Sequence, residues 1–396
     1  MKKSLKTNYI YNLLYQLLVM FLPLIVTPYL SRVLGAEKIG IYSFTFSVLS
    51  YFVLFGCLGI NIYGQREIAA VQDKVKKRSK IFYELFALKL IMLLISFLFF
   101  VLFYFNNATY GIYYKILTIE LFSNVLDITW FFQGLEDFKK ITIRNTIVRI
   151  TSVLLVFLLV KNENDLILYF FINGISNFIS YLSLWFNLKK IVKRIKLKDL
   201  NILSHLKPTI ALFIPQIAIQ VYTVLDKTML GFILNDMSQV GYYEQSQKIV
   251  KMLLMVIAAL GTVVGPRIAN LYANKKEEEL KINITNVFNI VCFISLPICF
   301  GLISVSKNFV PWFFGNEFLP IINLLKLHKK GRLYYYAIFI RLLLAAGGSS
   351  IPGAETFGVS GRRRTGTLWL YVSGRRWGTI QQKAHGLVLQ RGAVFW

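Results

Sequence analysis

The sequence predicts an all-α polytopic membrane protein, and three features predict it. The 396 residues are 56% hydrophobic and only 16% charged, against about 25% charged for an ordinary soluble domain. Apolar runs recur along the chain, each near the roughly 20 residues that a helix needs to cross about 30 Å of hydrocarbon. The cations collect between those runs: Lys and Arg number 45 against 19 Asp and Glu, a net charge of +26. Held in loops, they suit anionic lipids at one leaflet rather than a nucleic-acid footprint, so no nucleic-acid partner is expected.

The first run covers residues 12–30 behind the short basic start MKKSLK. It exceeds a signal-peptide core and lacks a small-x-small cleavage site, so it reads as an uncleaved first helix. Pro23 and Pro28 lie inside it, and each removes one helical hydrogen bond, which predicts a bend. Further spans are expected at 40–62, 81–105, 111–133, 141–160 and 166–188. These six make a first lobe, residues 1–188. The stretch LKKIVKRIKLKDLNILSHLKP (188–208) follows, with seven Lys and Arg side chains against Asp199 alone. A central Lys or Arg costs roughly 2.5–3.5 kcal/mol on membrane-insertion scales, so residues 189–208 read as a basic cytoplasmic connector. Spans at 209–234, 241–265 and 286–305 then begin a second lobe, residues 209–327. Two helical lobes around a central cavity are expected, the second of them incomplete.

Placing the N-terminus in the cytoplasm and alternating leaves only Arg32, Lys38, Lys161 and Lys307 in the outer loops. Every inner segment is strongly basic, as the positive-inside rule requires. A weak internal repeat accompanies this arrangement. LSRVLG (30–35) before IGIY (39–42) is matched by LDKTMLG (225–231) before VGYY (240–243), and GQREIA (64–69) is matched by GPRIA (265–269). An offset close to 200 residues spans six helices, an even number, so the repeat is parallel about an axis along the membrane normal.

Beyond Leu327 the character changes. Asn and Asp do not occur after Asn323 and Glu355 is the only acid; residues 333–346 are apolar but short and interrupted by Arg341, and residues 347–396, with Arg362-Arg363-Arg364 and Arg375-Arg376, have neither helical nor strand period. Residues 328–396 therefore read as an atypical tail, expected to be a frameshift or fusion product in place of a native-like remainder. The alternative is a genuine basic tail.

Four segments carry a resemblance: TPYLSRVLGAEKIGIYSF (27–44), GINIYGQREIA (59–69), DITWFFQGLEDFKKITIRN (127–145) and LDKTMLGF with VGYYEQSQKIVK (225–232 and 240–251). They resemble the Wzx-type oligosaccharide flippases of the multidrug/oligosaccharidyl-lipid/polysaccharide exporter superfamily, over about residues 1–325. The resemblance implies two six-helix lobes around a central cavity. It also implies export of undecaprenyl-diphosphate-linked repeat units for capsule, O-antigen or exopolysaccharide synthesis at the bacterial cytoplasmic membrane. A polysaccharide polymerase and a chain-length regulator are the protein partners it suggests.

A lipid-linked glycan has a diphosphate and sugars, and neither tolerates hydrocarbon. Its carrier needs a wet, cationic cavity built from ionisable residues within helices. The candidates for diphosphate contact or gating are Arg32, Arg149, Lys227 and Lys248. Asp127 and Asp226 are expected to hold those cations, Asp127 pairing with Arg149, while Glu120 is a candidate for coupling to a proton or Na⁺. Lys89 is a further intramembrane cation, and Lys115 reads as a snorkelling helix end. Tyr113, Tyr114, Trp130 and Trp312 read as interface anchors.

The chain has no phosphate-binding G-x-x-x-x-G-K-[ST] loop, no H-E-x-x-H and no Cys/His cluster. Cys57, Cys292 and Cys299 all fall in apolar runs, which suggests neither disulfides nor metal sites, and no cofactor is expected. The motifs therefore point to a secondary transporter, not an enzyme. A drug/cation antiporter is the nearest alternative. A membrane glycosyltransferase or polymerase would want a large loop with paired carboxylates, and no loop before Leu327 is long enough.

Overall fold

A computed structural model describes residues 5–188, 191–234, 236–274 and 276–325. The atypical tail and its expected change of frame lie outside the described residues. Every regular element within them is helical: α1 Leu5–Cys57, α2 Ile60–Ala70, α3 Val75–Tyr104, α4 Gly111–Leu126, α5 Thr129–Gly134, α6 Phe138–Leu159, α7 Leu166–Leu188, α8 Leu206–Ile233, α9 Met237–Ala273 and α10 Glu277–Phe314. Six helical stretches among the described residues are long and apolar enough to cross a membrane. Exposed Leu98, Leu102 and Leu158 on α3 and α6 are what a lipid-facing surface requires. The chain is an all-α, multi-pass membrane protein.

The first two expected helices run together as α1, and the break in their dihedrals falls at Gly35 (φ 73°, ψ 174°) rather than at Pro23 or Pro28, which both stay inside the helix. A glycine takes this positive φ without the Cβ penalty that other residues meet. The helix restarts at Ala36, whose N–H donates to Glu317 Oε1 at 2.7 Å. A carboxylate far along the chain thus caps a helix N-terminus, where an anion is favoured. The other Glu317 oxygen would lie 3.1 Å from a Cβ on Gly35.

A second break separates α4 from α5 inside the fourth expected span. Breaking a helix in hydrocarbon frees backbone groups that need new partners, and three side chains supply them. Trp185 Nε1 donates to the Leu126 carbonyl at 2.8 Å. Lys89 Nζ donates to the Asp127 carbonyl at 2.8 Å. The Asp127 carboxylate accepts from the Thr129 N–H at 2.9 Å.

The described chain falls into two compact units. Of the described residues, the larger takes those up to 260 together with 289–325. One of its apolar clusters joins α1, α4 and α7 to the start of α9 and to Val310, Phe314 and Ile321. The other packs Ile60 and Ile68 of α2 and Phe82 and Leu85 of α3 against Trp130, Phe131 and Phe132 of α5. Tyr114 and Trp130 belong to these clusters, each 1% exposed, and so are core residues rather than interface anchors. Trp312 is exposed. The smaller unit includes residues 261–288, where Glu279 pairs with Lys276 at 2.7 Å and with Arg267 at 3.8 Å.

The basic connector is tied down along α3. Arg78 donates to the Ile191 carbonyl at 2.7 Å, and the Lys193 N–H to Ser79 Oγ at 2.9 Å. Glu84 accepts the Asn201 N–H at 2.7 Å and meets His205 Nε2 at 3.0 Å. The other His205 nitrogen lies 3.0 Å from the Tyr63 hydroxyl of α2.

The repeated segments meet each other in the larger unit. A Cβ on Gly40 would lie 1.8 Å from the Met237 carbonyl oxygen, and one on Gly241 would lie 2.0 Å from that of Ala36. Ser43 donates to Glu244, 201 positions later, at 3.0 Å. Ala36 and Met237, and Gly40 and Gly241, stand at that same offset, so the two contacts are reciprocal, as a local two-fold relation demands. Phe44 against Phe232, ring centroids 5.1 Å apart, and Gln245 donating to Ser31 at 2.9 Å, are a second such pair.

Candidate functional site

The α4–α5 break opens beside a polar cavity of about 380 Å³ in the larger unit. Asn61 of α2, Asp127 and Thr129 at the break, Trp130 and Gln133 of α5, Arg144 and Arg149 of α6, and Asn177 and Tyr181 of α7 line it. The sequence places two of its candidates here, Asp127 and Arg149. They share the cavity but do not form the expected pair: Asp127 is held by Lys89, whose Nζ lies 3.8 Å from Oδ2. The reason is geometric. Lys89 is completely buried on α3 and already faces the Asp127 carbonyl, so one cation serves both the backbone and the carboxylate. Arg149, exposed to the cavity, makes no ion pair within 4.0 Å among the described residues.

Glu120 stands behind the cavity wall. It is buried, and Asn177 Nδ2 donates to its two oxygens at 2.9 and 3.1 Å. Because Asn177 lines the cavity, this carboxylate is one side chain away from it.

Lys227 and Lys248 gather elsewhere, around Glu244. Lys227 Nζ is 2.8 Å from Glu244 Oε2 and Lys248 Nζ is 4.0 Å from Oε1. Lys251 is within electrostatic reach of the same carboxylate. Three cations around one anion leave a net positive patch, and the side chain of Lys248 keeps a third of its surface exposed. Tyr42 and Tyr169, ring centroids 4.8 Å apart, lie within electrostatic reach of both Arg149 and Glu244.

Two candidates stand apart. Among the described residues Asp226 makes no ion pair within 4.0 Å; it accepts a hydrogen bond from the Tyr243 hydroxyl at 2.5 Å. Glu244, which the sequence reading did not single out, stands beside Lys227 and Lys248 instead, at i, i+4 from Lys248 in the VGYYEQSQK segment. Arg32 donates to the Trp312 carbonyl, fastening α1 to the end of α10. Sequence reasoning also passed over Arg144, Asn61 and Asn177, since polar residues on the turns of separate helices carry no shared spacing. Among the described residues no group of three or more His, Cys, Asp or Glu is arranged to hold a metal ion.

Residues 5–272 match the family described as "Polysaccharide biosynthesis protein". The chain belongs to this family. A relative in Shigella dysenteriae, named as an O-antigen transporter, is 27% identical over 300 residues, 75% of this chain and 74% of its own. Another of that name in Escherichia coli strain K12 is 27% identical over 280 residues, 68% of this chain and 66% of its own. No solved structure matches the chain. The family match takes in the cavity and the lysine cluster alike.

Proposed function

We propose that the chain is a flippase that carries undecaprenyl-diphosphate-linked oligosaccharide repeat units from the inner to the outer leaflet of the bacterial cytoplasmic membrane. It serves O-antigen, capsule or exopolysaccharide synthesis and is a transporter, not an enzyme. Family membership and the relatives' names support the class of cargo. The single observation that carries the reading is the cluster of Lys227, Lys248 and Lys251 around Glu244. Charges within membrane helices are expensive and mark substrate or ion pathways, and an excess of cations suits a diphosphate. The same excess argues against a drug/cation antiporter, whose interior would need anions.

In this reading the two repeats are halves of two lobes that rock about the Gly40–Gly241 crossing, and the N-terminus and connector face the cytoplasm. Anionic lipids hold the connector, and the polymerase and chain-length regulator act downstream. Complementation of a flippase-deficient strain tests it, using the chain as given and a version whose residues after 327 are replaced by a relative's C-terminal segment. We expect surface glycan to return with the second version, and to be lost when Lys227 and Lys248 are both changed to Ala but not to Arg. Full glycan display by the double Ala variant would overturn the assignment.

A further inference from the structure

The lysine cluster carries an anion of its own. Glu244 Oε2 lies 2.8 Å from Lys227 Nζ and accepts from Ser43 Oγ at 3.0 Å, and Oε1 lies 4.0 Å from Lys248 Nζ. None of these ionic side chains is sealed off: Glu244 keeps 16% of its side chain exposed, Lys227 12% and Lys248 33%. An anion arriving from solvent therefore meets the same ammonium groups that the carboxylate holds, and competes with it for them.

The internal repeat shows that packing at this place does not require the charges. Counting back 201 positions from Lys227, Glu244, Lys248 and Lys251 gives Val26, Ser43, Ser47 and Ser50, all uncharged. Three positions after each glycine of the reciprocal contact stands Ser43 in one repeat and Glu244 in the other. The charges thus answer a demand other than the helix crossing. Lysines gathered among membrane helices are expensive, and a partly buried cation that loses its partner destabilises the fold. Glu244 offsets that cost while no ligand is present. Once a second anion reaches the lysines, the same carboxylate repels it. A transport site must bind well enough to load and weakly enough to unload, and an internal competitor does both.

We propose that Glu244 is a resident counterion, which holds Lys227 and Lys248 when the site is empty and yields them to a phosphate-bearing anion, weakening its binding and hastening its release. The exchange rests on the flippase reading for the identity of that anion, the diphosphate of the cargo, but not for the competition itself. The test is isothermal titration of inorganic pyrophosphate into the purified full chain in an uncharged detergent at low salt. Glu244→Gln removes the charge, and its amide oxygen still accepts from Ser43; Glu244→Asp keeps the charge. We expect Glu244→Gln to bind pyrophosphate about tenfold more tightly than the parent, equivalent to about 1.4 kcal/mol, and Glu244→Asp to stay within about twofold of it. Without ligand the Gln variant should unfold at a lower temperature, and pyrophosphate should raise that temperature by more than it does in the parent. A carboxylate that merely positions the lysines predicts the opposite sign, so weaker or unchanged binding by Glu244→Gln, or no binding by either protein, overturns the exchange. Should Glu244→Gln alone not fold, the same change is made beside Lys227→Met, where the charges removed balance; tighter binding than by Lys227→Met alone is expected, and its absence is equally fatal. Phosphatidylglycerol added to the micelles separates the two sources of phosphate. Unchanged pyrophosphate affinity favours a diphosphate, whereas competition by the lipid would assign the lysines to a headgroup and overturn the cargo exchange. Failure of complementation alongside tighter binding by Glu244→Gln would sink the flippase reading and leave the competition standing.

Discussion

Lys89→Met tests whether the α4–α5 break is held by the side chains that surround it. Lys89 is fully buried, with its Nζ 2.8 Å from the Asp127 carbonyl and 3.8 Å from the carboxylate. Met fills a similar volume but leaves both oxygens without their donor. An unsatisfied buried carbonyl costs about 1–3 kcal/mol, and breaking a buried pair by removing one partner costs about 3–5 kcal/mol in all. Adding Asp127→Asn removes the stranded charge, while the amide oxygen can still accept the Thr129 N–H. The double variant should therefore recover about 2 kcal/mol of the loss, the carbonyl penalty remaining. Reversible unfolding in mixed micelles, with near-ultraviolet circular dichroism following Trp130 and Trp185, gives the three stabilities. A single variant as stable as the parent, or a double variant no better than the single one, would refute the argument that Lys89 serves backbone and carboxylate together.

Gly241→Leu should push α1 and α9 apart, because its Cβ alone would lie 2.0 Å from the Ala36 carbonyl oxygen. Backbone cannot yield as a side chain can, so a loss of about 1–3 kcal/mol or more is expected in the same unfolding assay, and unchanged stability counts against the reciprocal crossing. Glu317→Ala should cost about 1 kcal/mol by uncapping Ala36. Adding Gly35→Ala should cost further through its positive φ of 73°, and two neutral outcomes would mean the kink needs neither. Asp236, in the turn before α9, accepts the Ser238 N–H at 2.9 Å. Hydrogen bonds from the Ser238 side chain and backbone and from the Gln239 side chain hold its carboxyl below the usual range. A depressed carboxyl stabilises above its unfolded value, about 4, and loses that contribution as pH falls through the folded value. The stability gap between the parent and Asp236→Asn should accordingly shrink on acidification below about pH 4, and a gap independent of pH there would contradict the cap.

The helical membrane class was legible in the sequence, because the cost of exposing backbone to hydrocarbon leaves a long apolar run only one spanning conformation outside a barrel. The span at 166–188 matches α7 residue for residue, and the repeat offset near 200 reappears as the 201 positions between Ser43 and Glu244. Which residues would meet was not legible. Glycine permits a break without demanding one, so the kink at Gly35, rather than at two prolines, followed from the carboxylate of Glu317 arriving from the far end of the chain. Asp127 chose Lys89 over Arg149 because the break in α4 turned a backbone carbonyl toward α3, and no spacing in the chain encodes that. Composition and period are local sums that a sequence states outright. The partner of a buried charge depends on which helices pack together, and only the folded molecule decides it.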